Sequence, residues 1–227
     1  MTKEIMRNLK PMSSNEWIRY FSENDFTGAE LAWFFCSAIY WNSLLTDPEH
    51  IFELTKAMLD LGMNPNQIVS VDEDDDPIPK GTPERGFYEI PLIAVTRFDR
   101  DEVAEQNIRC AASMKLMMER GGNPNTVTLF EERGDNGEDY DENVTDFYYW
   151  DIYSHGPDLD ECDFYGLLLC YAYGGEYHNG CPAFDMLIDA PPSIFKDYER
   201  YWFEWEEHEP LYVIEKDTGK RVAKWVF

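Results

Sequence analysis

The chain has 227 residues, of which 44% are apolar and 15% aromatic, so it can bury a core and is not a disordered chain. It carries 19 basic and 45 acidic residues, a formal net charge of −26, which makes free nucleic acid and anionic membranes unfavourable partners. No apolar run reaches the length of about 18–20 residues that spans a bilayer, and residues 1–11 lack the apolar core of a signal peptide, so we expect a cytoplasmic protein.

The N-terminal part of the chain predicts three helices. Residues 14–21 read as a short capped helix, and residues 1–27 as a polar-ended terminal unit. Residues 29–41 are apolar nearly all round, which is typical of a buried helix. A third helix is predicted to begin at Asp47, acting as its N-cap, and to end at Gly62 in the left-handed conformation. Its apolar positions follow a 3.6-residue period: Ile51, Leu54, Thr55, Met58, Leu59 and Leu61.

The end of this helix recurs in the sequence. Residues 57–66 return as residues 116–125, and both copies close with an Asn-Pro-Asn turn that follows Gly62 or Gly121. A weaker third copy covers residues 166–175 and contains Gly174. Because glycine adopts positive φ without steric cost, we predict that Gly62 and Gly121 occupy left-handed helix-end positions.

An apolar segment precedes each later copy. Residues 90–98 are predicted to form a helix that starts with a proline. Residues 146–154 form an aromatic segment. Between the paired helices of the second unit, residues 96–113 are expected to form an extra helix of their own. The second helix of that unit has an apolar stripe of Met114, Leu116, Met117 and Met118.

The C-terminal segment has a different pattern. Residues 211–216 and 221–227 are β-rich and flank a turn with Gly219, which predicts a β-hairpin. Residues 194–209 are rich in tyrosine and tryptophan and are expected to form a short helix under that hairpin. We therefore divide the chain at residue 188, with a helical repeat region before it and an aromatic segment packed on the repeats after it.

The repeated unit consists of a helix, a turn, a second helix, a glycine and an Asn-Pro-Asn turn. This order of elements resembles the ankyrin repeat family. The run Ile90-Pro91-Leu92-Ile93-Ala94-Val95 is similar to the family's Thr-Pro-Leu start, and residues 117–125 to its Gly-Ala-Asp-x-Asn end. The resemblance covers residues 28–180, with copies 53–59 residues apart instead of about 33. It implies a mainly α, ankyrin-like solenoid with inserted connections, and a protein-binding role.

The inserted connections carry most of the acid. Residues 71–210 contain 10 basic and 34 acidic residues, a net charge of −24. In repeat proteins, insertions map to one face, often the binding face. We expect the connections to form an acidic, partner-binding face, with two aromatic residues as anchors: Asp72, Glu73, Asp74, Asp75, Asp76, Glu131, Glu132, Glu138, Asp139, Asp141, Glu142, Tyr148 and Tyr149.

The sequence gives little support for a metal site or a catalytic site. Cys162, Cys170, His178 and Cys181 match no common zinc spacing, and the acidic run from Asp135 has Tyr140 where a calcium loop needs glycine. A thiol–imidazole pair of Cys181 and His178 rests on spacing alone. No hydrolase, phosphate-loop or metalloprotease motif is present, so we predict no catalytic residue, metal or cofactor.

The expected function is therefore a non-enzymatic one. The charge favours an inhibitor or immunity-type protein, monomeric when free, that captures a basic, nucleic-acid-acting protein without binding nucleic acid itself. An alternative is a phage-type nucleic-acid mimic that inhibits a defence nuclease. An enzyme with an unrecognised site and a plain scaffold are the remaining alternatives.

Overall fold

The computed structural model of this protein describes residues 10–40, 45–70, 88–95, 104–130, 140–143, 161–176, 185–186, 190–204 and 210–225. Within these ranges the chain is mostly helical, with an antiparallel sheet at its C-terminal end. The predicted mainly α class with a C-terminal β-hairpin is confirmed at this level.

Helix α1 (Ser14–Ser22) is capped, as predicted, and its cap is a capping box formed by Ser13 and Glu16. The Ser13 N–H donates to the Glu16 carboxylate at 2.8 Å, and the Ser13 hydroxyl accepts from the Glu16 N–H at 3.4 Å. These bonds satisfy backbone groups that have no partner inside the helix. Trp17 and Phe21, one turn apart, stack with ring centroids 5.4 Å apart and face the core.

The prediction that Asp47 caps the third helix is wrong. A 3₁₀ helix (Pro48–His50) leads into helix α3 (Ile51–Asp60), and the N-cap of α3 is His50. The Asp47 carboxylate instead accepts from the N–H of Ser14 at 2.6 Å and from its hydroxyl at 3.0 Å. Asp47 therefore caps α1 from 33 residues away, a contact that only the tertiary structure could reveal.

Helices α2 (Gly28–Tyr40) and α3 form the first helix pair. Every residue from 31 to 39 is buried, which confirms the prediction of a buried helix. Helix α3 buries one face, with Leu54 and Met58 at 2% and 1% exposure. Leu61 was predicted to join that face, but it lies just past the last helical residue and is 39% exposed.

The second pair consists of α4 (Pro91–Ala94), which starts with a proline as predicted, and α5 (Ala104–Glu119). The expectation of a separate helix within residues 96–113 is wrong, because α5 runs without a break from there through the methionine stripe. Its 16 residues contain neither glycine nor proline, so nothing in the sequence ends the helix before Gly121. Met114, Met117 and Met118 are buried as predicted.

Helix α6 (Glu161–Ala172) completes a row of helices. In this row α1 packs on α3, α3 on α5, α5 on α6, and α6 on a 3₁₀ helix (Pro192–Arg200). A second layer holds α2 against α4. The core lies between the layers and contains the residues that this arrangement buries most fully, among them Phe34, Ile39, Leu92 and Leu167.

The C-terminal sheet has four antiparallel strands in the order β5-β8-β7-β6. They are β5 (Asp185–Met186), β6 (Tyr201–Glu204), β7 (Leu211–Glu215) and β8 (Lys220–Trp225), and Gly219 has a φ of 65° in the turn between the last two. The predicted hairpin is thus confirmed. The helix predicted over residues 194–209 is wrong beyond Arg200, because Tyr201 begins a strand.

Pairing with β7 explains why this aromatic segment is extended. Alternate residues of β6 are buried, so Tyr201 and Phe203 face inward while Trp202 is 40% exposed. The inward face packs on α6, where the Phe164 and Phe203 rings lie 5.2 Å apart. The buried Tyr165 hydroxyl donates to the Tyr201 carbonyl at 3.0 Å, which joins the sheet to the last helix of the row.

Candidate functional site

Three helices of the row end in the same glycine turn. Gly62, Gly121 and Gly174 follow α3, α5 and α6 with φ of 101°, 97° and 84°. After each one, the next N–H donates across the turn: Met63 to Met58, Gly122 to Met117 at 2.8 Å, and Gly175 to Cys170 at 2.7 Å. This pattern is a Schellman motif, and it confirms the predictions for Gly62 and Gly121 and the weaker third copy.

Asparagine side chains join these turns to one another. The Asn66 amide donates to the Gly121 carbonyl at 2.8 Å, and its oxygen accepts from the Asn123 N–H at 2.7 Å. Asn125 repeats the arrangement one turn later, donating to the Gly174 carbonyl at 2.9 Å and accepting from the Glu176 N–H at 2.8 Å. We call the two steps the asparagine ladder. Sequence reasoning missed it, although its signal is the same asparagine at an offset of 59 residues.

Short strand pairs follow the first two turns. Strand β1 (Val69–Ser70) pairs with β2 (Tyr88–Glu89), and β3 (Val127–Phe130) pairs with β4 (Tyr140–Asn143), both antiparallel. The second inserted connection therefore begins and ends in a hairpin stem. Strand β2 lies beside β3, so the two pairs are neighbours.

Two of the predicted partner-binding residues lie in these strands. Asp141 and Glu142 lie in β4, opposite Leu129 and Thr128 of β3. The remaining members of the set lie outside the described residues: Asp72, Glu73, Asp74, Asp75, Asp76, Glu131, Glu132, Glu138, Asp139, Tyr148 and Tyr149. The structure does place the ends of both acidic connections, because each connection begins and finishes in one of the paired strands.

A groove of about 370 Å³ is lined by residues of α3, α5 and the 3₁₀ helix (Pro192–Arg200), with Phe52 and Leu116 among its apolar lining. Its rim has mixed charge. The Lys115 ammonium lies 3.9 Å from the Asp197 carboxylate, and Glu119 accepts from the Tyr173 hydroxyl at 3.3 Å. Burial, followed by the nearby Glu119 charge, raises the pKa of Tyr173 to about 12.

Tyr198 lines the groove, and burial is the main cause that raises its pKa to about 12. Both hydroxyls therefore stay protonated at neutral pH and cannot act as bases there. The groove combines paired charges with an apolar floor, and this arrangement indicates no particular chemistry.

Within the described residues, the cysteines and histidines form no metal centre. Cys162 and Cys170 both lie in α6, eight residues and therefore about 12 Å apart along the helix axis. Helix positions that far apart are unsuited to sharing one zinc ion, whose bonds to sulfur are about 2.3 Å long. His178 and Cys181 lie outside the described residues. Across the described part of the chain, no group of three or more potential metal ligands comes together.

No protein-family model, no curated protein and no solved structure matches the chain. Among the described helices, none is long and apolar enough to cross a membrane.

Proposed function

We propose that this chain is a non-enzymatic protein-binding module that captures a basic, nucleic-acid-acting protein through an acidic face. In this proposal its repeated units form an ankyrin-like solenoid, and the acidic connections are the binding elements. The regular succession of α3, α5 and α6, each ending in the same glycine turn, supports the repeat reading. The ladder bonds between successive turns support it too.

The observation that carries the proposal is the adjacency of the two strand pairs. One acidic connection, residues 71–87, joins β1 to β2, and the other, residues 131–139, joins β3 to β4. Because β2 lies beside β3, both connections start and finish in neighbouring strand pairs. Each connection has a net charge of −4, from six acidic and two basic residues in the first and five acidic and one basic residue in the second.

Two like-charged connections that leave neighbouring strand pairs repel each other, and this repulsion opposes folding. The same arrangement concentrates negative potential on one side, which speeds the approach of a cationic surface and weakens with added salt. These physical consequences fit an inhibitor or immunity-type protein in the cytoplasm, and they require no catalytic group.

Charge reversal tests the proposal. The first variant is Asp74→Lys with Asp75→Lys, and the second is Glu138→Lys with Asp139→Lys. A matched control is Glu23→Lys with Asp25→Lys, which makes the same change of +4 at exposed positions just past α1. Each protein is immobilised, and proteins retained from a host lysate are compared at low and high salt.

We expect the unmodified protein to retain a basic protein at low salt and to release it at high salt. Association with that protein should slow about tenfold in each of the first two variants, while the control behaves like the unmodified protein. Equal loss in all three variants would indicate a general effect of net charge and contradict the proposal. Displacement of the retained protein by duplex DNA would favour the nucleic-acid-mimic alternative over an immunity-type role.

A further inference from the structure

The first step of the asparagine ladder joins the starts of the two acidic connections. Asn66 lies in the turn that leads through β1 into the first connection, and its two partners, Gly121 and Asn123, lie in the turn that leads through β3 into the second. Its oxygen also receives the Thr126 hydroxyl at 3.4 Å. The two turns are therefore tied together only a few residues before their connections begin.

Asn66 is well suited to hold this geometry. Its own N–H donates to the Asn64 side chain at 3.0 Å, and the intervening Pro65 is buried, so the amide is presented from a fixed turn. One amide group then donates and accepts at two points on the next turn. Two bonds restrict both the separation and the rotation of the turns, whereas one bond would leave a pivot.

The second step of the ladder uses the same kind of hydrogen bonds but joins a different pair of turns. Asn125 is presented by an equivalent turn, in which its N–H donates to Asn123 at 3.0 Å and Pro124 is buried. Its partners are Gly174 and Glu176, in the third turn. Asn125 therefore fastens the second turn to the third and makes no bond between the two acidic connections.

We propose that Asn66 is a positioning residue, because it fixes the separation of the two strand pairs from which the acidic connections leave. The proposal rests on the proposed function for its biological meaning, but its geometry can be tested separately. If Asn66 sets that distance, the cationic groups of the partner must match it, and removing the amide should loosen the face without changing its charge.

The experiment compares Asn66→Ala with Asn125→Ala, its matched control. Nitroxide amino acids are incorporated at Glu89 in β2 and Thr128 in β3, which avoids the five native cysteines. Dipolar coupling between the two labels reports the separation of the strand pairs. Amide hydrogen exchange at Asn123 and Glu176 reports whether each step of the ladder is broken.

Asn66→Ala should speed exchange at Asn123 about tenfold and weaken the dipolar coupling, with exchange at Glu176 unchanged. Asn125→Ala should speed exchange at Glu176 and leave the coupling as in the unmodified protein. Equal loss of coupling in both variants would reduce Asn66 to a general structural role and overturn the proposal. Unchanged coupling in Asn66→Ala would overturn it as well.

A second variant and the capture assay complete the test. If Asn66→Ala does not fold, Asn66→Asp keeps the acceptor for Asn123 and loses the donor for Gly121, and it should weaken the coupling to a smaller extent. In the capture assay, Asn66→Ala should reduce retention of any protein that is lost on charge reversal at Asp74 and Asp75. Unchanged retention on charge reversal would refute the proposed function, whereas unchanged dipolar coupling would refute the positioning role.

Discussion

Replacing Gly121 by alanine tests the left-handed turn on which the repeated units depend. Gly121 has a φ of 97°, and a Cβ added there would meet no atom within 4 Å. The whole cost is therefore conformational, and we expect it to be about 1–2 kcal/mol for alanine. Asparagine tolerates this region better than alanine does, so Gly121→Asn should cost less.

Thermal and urea unfolding of the unmodified protein, Gly121→Ala and Gly121→Asn measure the effect. For a chain of this length, each kcal/mol lowers the melting temperature by about 2–4 °C, so Gly121→Ala should unfold about 2–8 °C lower. The urea dependence of the unfolding free energy should stay unchanged, because the variant removes stability without altering the surface exposed on unfolding.

The direction in which Gly121→Ala changes the melting temperature shows whether Gly121 has a positive φ. Where a glycine has a negative φ that alanine also adopts, replacement by alanine stabilises a protein by about 0.4–1 kcal/mol, because it restricts the unfolded chain. A melting temperature for Gly121→Ala at or above that of the unmodified protein would therefore refute the left-handed turn. Gly121→Asn falling below Gly121→Ala would refute the reasoning about backbone conformation.

Four other substitutions test separate parts of the fold. Gly28→Ala should destabilise more than Gly121→Ala, because its Cβ would lie against the Gly62 carbonyl oxygen and force two backbones apart; unfolding free energies compare the two. Leu54→Ala, at 2% exposure, should cost about 2–5 kcal/mol in urea unfolding, and Leu61→Ala, in the exposed position after the same helix, less than about 0.5 kcal/mol. The Ser13 N–H bond lowers the pKa of Glu16 below its ordinary 4.5, so its stabilisation is complete above that pH and is lost as the pH falls through the lowered pKa. The difference in melting temperature between the unmodified protein and Glu16→Gln should therefore be clear at pH 6 and shrink steadily as the pH is lowered below 4.5.

Local sequence patterns were enough to predict the helix ends and the final hairpin. The positive φ of Gly62 and Gly121 followed from a residue type that adopts this conformation without steric cost, next to a turn that repeats in the sequence. The capping box at Ser13 and the turn at Gly219 are equally local, because their partners lie within a few residues along the chain. The same holds for the buried methionines of α5, whose spacing matches one face of a helix.

Contacts between distant segments decided the rest. Asp47 has a residue type that favours helix starts, and it does cap a helix, but the helix is the one that begins at Ser14. Tyr201 to Glu204 could form a helix by composition, yet the hydrogen bonds available from β7 make them a strand. The sequence indicates only that Asn66 and Asn125 are turn residues. The packing of α3, α5 and α6 places their side chains where they hydrogen-bond to the neighbouring turn. Conformation set by neighbours along the chain is visible in a sequence, whereas a bond to a residue 33 or 55 positions away depends on the packing of everything between.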